Sequence, residues 1–142
     1  MENLGIIYCG SDSSASGLCM NKYATKKVAH KLGLMTPKGI YFSGQKIPPA
    51  DKFIEELGQS LVVKPNNMGS SIGLYLTDHR SELGVTLSQI NEGNWIVEER
   101  IDGRELTVGI LNGKALGIVE VTSQTGVYDY SAKYTQGASN YI

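Results

Sequence analysis

Lys64 stands a few residues before a glycine- and serine-rich run, Gly69-Ser70-Ser71-Ile72-Gly73. A cation beside backbone that can turn several N–H groups toward one point suits an anion. Leu61-Val62-Val63, just before Lys64, reads as a short buried strand because three branched apolar residues follow one another. Pro65 lacks a ladder donor and biases its predecessor toward extended backbone, so Lys64 belongs at the strand's end. The chemistry implied is the binding of a phosphate-bearing ligand. An ordinary solvated loop is the competing reading.

Two sharper alternatives fail on order. A Walker loop places its lysine after the glycines and opens a helix, whereas here the lysine comes first and Leu74-Tyr75-Leu76 follows. The run also fits the G-x-S-x-G elbow of serine hydrolases, with Ser71 as nucleophile. That elbow opens a helix and needs an acid and a histidine later in the chain. The one later histidine, His79, leaves no room for an acid-bearing unit between.

The elements that must position these residues follow from periodicity. Leu4 to Cys9 reads as a strand. A helix then carries Met20, Tyr23, Ala24, Val28 and Leu32 on one face, with Gly33 as C-cap and Thr36-Pro37 blocking continuation. Lys22 lies one position off that stripe, and on local grounds is a solvated helix lysine. Gly39 to Phe42 is strand-like, and Pro48-Pro49 precedes a helix turning Phe53, Ile54 and Leu57 inward. After the glycine loop, Ile72 to Leu76 returns as a strand, and a helix from about Arg80 buries Leu83, Leu87 and Ile90 before Gly93. Trp95 to Ile101 and Arg104 to Leu111 read as a hairpin around Asp102-Gly103, and Asn112-Gly113 turns into Ala115 to Thr122. In that hairpin Glu98, Arg100, Glu105 and Thr107 share a face. Arg100 and Glu105 then form at least a cross-strand pair, while Glu98 and Glu105 could address a single ligand. Val127 to Tyr134, three tyrosines and a lysine without apolar period, reads as a long surface loop. Poor order is expected from about Tyr128 onward, and the chain reads as cut inside a domain.

Composition narrows the classes. At 142 residues the chain is long enough for a core that removes roughly 68–70% of the unfolded surface from water. Its hydrophobic share of 41% and charged share of 19% are those of a globular chain. A net charge of −1 gives no reason to expect nucleic acid or an anionic membrane as partner. Cys9 and Cys19 lack metal-ligand spacing and read as reduced thiols of a cytoplasmic protein. Leu4 to Cys9 is too short for a signal core.

Four groups of residues, in this order, resemble the D-alanine–D-alanine ligases of the ATP-grasp superfamily. They are Gly10-Ser11 with Ala15-Ser16 and Met20-Asn21-Lys22; Val63-Lys64-Pro65 with Gly69 to Gly73; Val97-Glu98-Glu99 with Gly103-Arg104-Glu105; and Tyr128 to Tyr134. The resemblance implies an α+β fold, an ATP-grasp subdomain with a largely antiparallel sheet and flanking helices. It implies that residues 1–19 end an N-terminal domain and linker, that 20–101 form the small nucleotide-clamp subdomain, and that 102–142 begin the larger one.

The activity implied is ATP-dependent joining of two D-alanines through an acyl-phosphate, for peptidoglycan precursors. The protein's share of such chemistry is positioning and charge stabilisation around the transferring phosphoryl group. Carried over residue by residue, Lys22 and Lys64 contact the ATP phosphates, and Ser71 caps them. Glu98, Glu99 and Ile101 line the adenine slot, with Glu98 receiving the exocyclic amine, and Glu105 takes the ribose hydroxyls. Lys133 reaches the γ-phosphate, and Ser70 and Tyr134 close a hydrogen-bonded set against the first D-alanine. Tyr134 favours a dipeptide product over D-alanyl-D-lactate. The resemblance further implies magnesium held by residues outside this chain, an isolated chain without turnover, and a homodimer of the longer protein. Asn21 departs from the aspartate many relatives carry before the first lysine. Glu92-Gly93-Asn94 mimics a metal-binding pair but stands in the wrong place, and reads as a helix-ending turn. Other ATP-grasp carboxylate–amine ligases and a non-catalytic nucleotide-binding fragment are the alternatives.

Overall fold

A computed structural model of the chain describes residues 2–123, 133–135, 137 and 139–142. They divide into two units: Met1–Gly69 with Gly73–Arg100, and Ser70–Ile72 with Ile101–Ile142.

The first unit is built on a sheet of four antiparallel strands. They are β1 (Gly39–Ser43), β2 (Leu61–Pro65), β3 (Tyr75–Thr77) and β4 (Asn94–Glu99), in the order β1-β4-β2-β3. Alternation sends Phe42, Leu61, Val63 and Val97 to one face. There they join Phe53 of helix α3 (Ala50–Leu57) and Leu83 and Leu87 of helix α4 (Arg80–Ser88), with Ile90 beyond it, in one core. Phe53, Leu61, Val63 and Val97 are fully buried. The opposite face carries Glu98 and Tyr41, and helix α2 (Lys22–Lys31) lies against it: Tyr23 stacks on Tyr41 with ring centroids 4.7 Å apart. Helix α1 (Ser13–Met20) precedes α2.

The single long helix expected around Met20 is in fact two. Asn21 leaves helical geometry at φ −86°, ψ 94° and caps α2 by accepting from the Ala24 N–H at 3.0 Å, the local competition that favours asparagine at N-caps. The apolar stripe across the break stays largely exposed, Leu32 at 70%. Gly33 does adopt the left-handed conformation of a C-cap, φ 72°. The strand expected at Leu4 to Cys9 does not form. A short 3-10 turn, Glu2–Leu4, precedes irregular backbone, and Ile7 is 97% exposed; among the described residues no strand pairs with it, and apolar character alone makes no sheet.

The second unit is a sheet of β5 (Glu105–Leu111), β6 (Lys114–Ser123) and β7 (Ser139–Tyr141), again antiparallel. Asn112 and Gly113 turn β5 into β6 at φ 49° and 74°, the left-handed pair that a type I′ turn demands. Asp102-Gly103 is different. Both lie outside the left-handed region, and β4 has its two edges paired with β1 and β2 while β5 pairs with β6. The β4–β5 hairpin is therefore corrected, along with the shared face and the Arg100–Glu105 pair it implied. Arg100 instead donates to Asp78 at 3.3 Å, and Arg104 makes a two-pronged contact with Glu120 at 2.9 and 2.6 Å. Strand β7, three residues of weak pattern that periodicity does not mark, pairs with β6 through Val121–Tyr141, Thr122–Asn140 and Ser123–Ser139. The tyrosine-rich stretch from Val127 to Ala132 lies outside the described residues.

Candidate functional site

In the first unit the strand end and helix α2 bring together three lysines and a carboxylate. Glu98 on β4 is 5% exposed. Its Oε1 accepts from Lys26 Nζ of α2 at 2.5 Å, and its Oε2 accepts from Lys64 Nζ of β2. Gly39 on β1, directly across from Glu98, leaves the room this needs: a Cβ there would sit 2.9 Å from Glu98 Cγ. Burial pushes the Glu98 carboxyl up, but the hydrogen bonds from Lys26 and Lys64 and their charges outweigh it and hold the group below the usual carboxylate range.

Lys22, first residue of α2, is held by carbonyls. Its Nζ donates to Met68 O at 2.6 Å and to Asn66 O at 3.4 Å. Burial, and then the like charge of Lys64, push its ammonium below the ordinary lysine range, with Glu98 opposing them. Three ammonium groups facing one carboxylate leave an excess of positive charge that a polyanion would relieve.

Asn66 joins the two lysine-bearing elements. It is 2% exposed. Its backbone carbonyl accepts from the Lys22 N–H at 3.1 Å, its side chain accepts from the Tyr23 N–H at 2.9 Å and donates to Asn21 Oδ1 at 2.9 Å. The start of α2 is thereby pinned two residues from Lys64. Sequence reading passed over both Asn66 and Lys26. For Lys26 a signal existed, since it follows Lys22 by one helical turn and like charges at that spacing repel unless a counter-charge faces them. Glu99, by contrast, binds backbone: its Oε1 accepts from the Lys38 N–H at 2.7 Å.

The second unit holds the other set. Ser70 and Ser71 have φ of 51° and 57°, a left-handed conformation that non-glycine residues adopt at a cost. Ser71 Oγ accepts from Lys133 Nζ at 2.8 Å, and the Ser70 and Tyr134 hydroxyls are 2.7 Å apart. These contacts tie two segments distant in sequence to the two strained residues. Glu105 begins β5 and shares a cleft of about 300 Å³ with Arg104, Glu120, Thr122 and Ser123. Ile101 is 65% exposed. Among the described residues no group of three or more His, Cys, Asp or Glu side chains could hold a metal ion, and no helix is long and apolar enough to cross a membrane.

Antiparallel sheets with flanking helices, and a lysine at a strand end before a glycine-serine loop, define an α+β chain of the ATP-grasp fold. Residues 29–142 match the family described as D-ala D-ala ligase C-terminus, and the chain belongs to that family. The D-alanine–D-alanine ligase of Aquifex aeolicus is 41% identical over 145 residues, 99% of this chain and 48% of that protein. The solved structure of D-alanine–D-alanine ligase from Bacillus anthracis has a TM-score of 0.80 at 34% identity, covering 99% of this chain and 47% of that one. The same ligase complexed with ATP scores 0.76 at 32% identity, with 99% and 46% covered. VanG D-Ala:D-Ser ligase from Enterococcus faecalis scores 0.76 at 30% identity, with 99% and 43% covered. The chain spans about half the length of the curated relatives it matches.

Proposed function

We propose that this chain supplies the nucleotide-handling part of an ATP-dependent ligase that joins two D-alanines for peptidoglycan precursors in the cytoplasm, the longer protein acting as a homodimer. The observation that carries the reading is the first unit's excess of positive charge, Lys22, Lys26 and Lys64 around the buried carboxylate of Glu98. The likeness to a ligase complexed with ATP supports the choice of nucleotide. Residues 20–101 serve as the clamp and residues 102–142 begin the larger subdomain, with residues 1–19 ending the N-terminal domain and linker.

ATP, when bound, supplies the phosphoryl group that activates a carboxylate. Lys22 exchanges its carbonyl partners for phosphate oxygens, a gain because a charge-assisted bond to an anion is stronger than one to a neutral oxygen. Lys64 keeps Glu98 on one side and presents its remaining protons to phosphate. Ser71 and Lys133 contact the phosphates at the transferring end, and Ser70 and Tyr134 line the side of the first D-alanine. Glu98 has lone-pair capacity beyond its two lysine bonds and accepts from adenine's exocyclic amine, beside Glu99 and Ile101. Glu105 accepts from the ribose. Magnesium is assigned to residues outside this chain, and no described side chain is given a role in holding it.

The test is lysine acylation read by mass spectrometry. ATP should protect Lys22 and Lys64, adenosine should protect neither, and exposed Lys46 should label equally throughout. Equal labelling of Lys22 and Lys64 with and without ATP refutes the reading. For the longer protein, phosphate release driven by D-alanine but not by D-serine assigns the acceptor, and the reverse result overturns it.

A further inference from the structure

We propose that Lys26 is a positioning residue for the phosphate site and acts through Glu98: by occupying Oε1 it compensates the carboxylate, so that Lys22 and Lys64 present their positive charge to the ligand. This rests on the reading of Lys22 and Lys64 as phosphate-binding residues.

The geometry supports a role beyond simple packing. Lys26 Nζ is spent on two oxygens inside the unit, Pro37 O and Glu98 Oε1, and its side chain is only 17% exposed. It has little capacity left for a ligand. Its helix is fixed beside it on both sides: Tyr23 stacks on Tyr41, Lys27 covers the Tyr23 ring at 4.2 Å, and Asn66 holds the first turn. The charged groups facing Glu98 are Lys26 and Lys22 from α2 and Lys64 from β2, while β1 contributes Gly39, which carries no side chain. If Lys26 were neutral, Glu98 would have Lys64 as its main partner. Lys64 would then be drawn into a simple ion pair, with its field at the ligand largely cancelled. With Lys26 charged, three ammonium groups face one carboxylate and two positive charges are left over; with Lys26 neutral only one is left, and Lys64, the lysine still bonded to Glu98, carries most of that loss.

The test is a mutant cycle on the 142-residue chain, with ATP as probe and the backbone amide shifts of Gly69 to Gly73 as the binding readout. Lys26→Met should weaken binding roughly five- to tenfold, and Lys26→Arg should restore most of the loss. In a Glu98→Gln background Lys26→Met should change affinity by less than about twofold, because there is no charge left to compensate. The Glu98 carboxyl carbon should titrate at higher pH in Lys26→Met than in the parent. Should Lys26→Met lose the amide dispersion of a folded chain, Lys26→Gln, which keeps a donor for Pro37 O, takes its place with the same expectations. A loss from Lys26→Met that is equal in the parent and in the Glu98→Gln background overturns the proposal, as does an unchanged Glu98 midpoint. Lys64→Ala separates the two ideas. If it binds ATP like the parent, or the parent shows no shifts, the phosphate reading itself fails; if Lys64→Ala weakens binding and Lys26→Met does not, only the role of Lys26 falls.

Discussion

Replacing Lys64 by alanine tests the site at its centre. Lys64 is 23% exposed at its side chain and bonds a carboxylate that is 7% exposed, so the substitution has two separable effects. On the ligand side, removing one charge-assisted phosphate contact costs about 1.5–3 kcal/mol, roughly ten- to a hundredfold in affinity. On the fold side, breaking a fully buried pair costs about 3–5 kcal/mol. Here Lys26 still holds Oε1 of Glu98 and Lys64 is partly solvated, which lowers the expected loss to about 1–2 kcal/mol. Lys46 is the control, since it is exposed near the isolated bridge between Ser43 and Lys46. Calorimetric titration with ATP should show the affinity loss for Lys64→Ala and none for Lys46→Ala, with urea unfolding reporting the stability term. Equal affinities for the two variants would refute the assignment. A stability loss without an affinity loss would leave Lys64 a structural residue.

Gly39→Ala should weaken ATP binding severalfold and destabilise the first unit by about 1–3 kcal/mol, because its Cβ would stand 2.9 Å from Glu98 Cγ and 3.1 Å from Val97 O; unaltered binding would show that Glu98 can move without consequence. Glu98 titrates below its ordinary value of 4.5 in the fold, so its contribution to stability is complete above about pH 4.5 and is lost as pH falls through the lower, folded-state value. Urea midpoints across about pH 3 to 6 should therefore depend less on pH in Glu98→Gln than in the parent, and parallel curves would contradict this. Ser70→Gly should be more stable than Ser70→Ala by about 0.5–1 kcal/mol, since both lose the bond to Tyr134 but only glycine relieves the left-handed backbone; the opposite order in thermal melts would deny the strain. Phe53→Ala, in the core of the first unit, should cost about 3–5 kcal/mol in chemical unfolding, and a loss under about 1 kcal/mol would mean that core is not packed as described.

What the amino-acid sequence determined by itself is local. The strand at Leu61-Val62-Val63 with Lys64 at its end, the inward Phe53 of α3, the buried Leu83 and Leu87 of α4, and the Asn112-Gly113 turn follow from periodicity and turn chemistry within a few residues. The residues proposed for nucleotide and substrate contact, Lys22, Lys64 and Glu98 in the first unit and Ser70, Ser71, Lys133 and Tyr134 in the second, stand in recognisable runs. Tertiary structure decided which of them meet. Asp102-Gly103 has the composition of a hairpin turn just as Asn112-Gly113 does, yet β4 pairs on both edges with strands from far along the chain, and no local signal reports that its edges are taken. Leu4 to Cys9 has strand composition but pairs with no strand among the described residues, and a lone strand leaves its backbone groups unpaired. Lys26 and Asn66 look like a helix-surface lysine and a loop asparagine. They enter the site only because α2 is laid across the face of the sheet that carries Glu98, so that residues 72 positions apart share a hydrogen bond. A buried carboxylate must find its counter-charges wherever the fold brings them, and that requirement acts through space, where sequence spacing has no say.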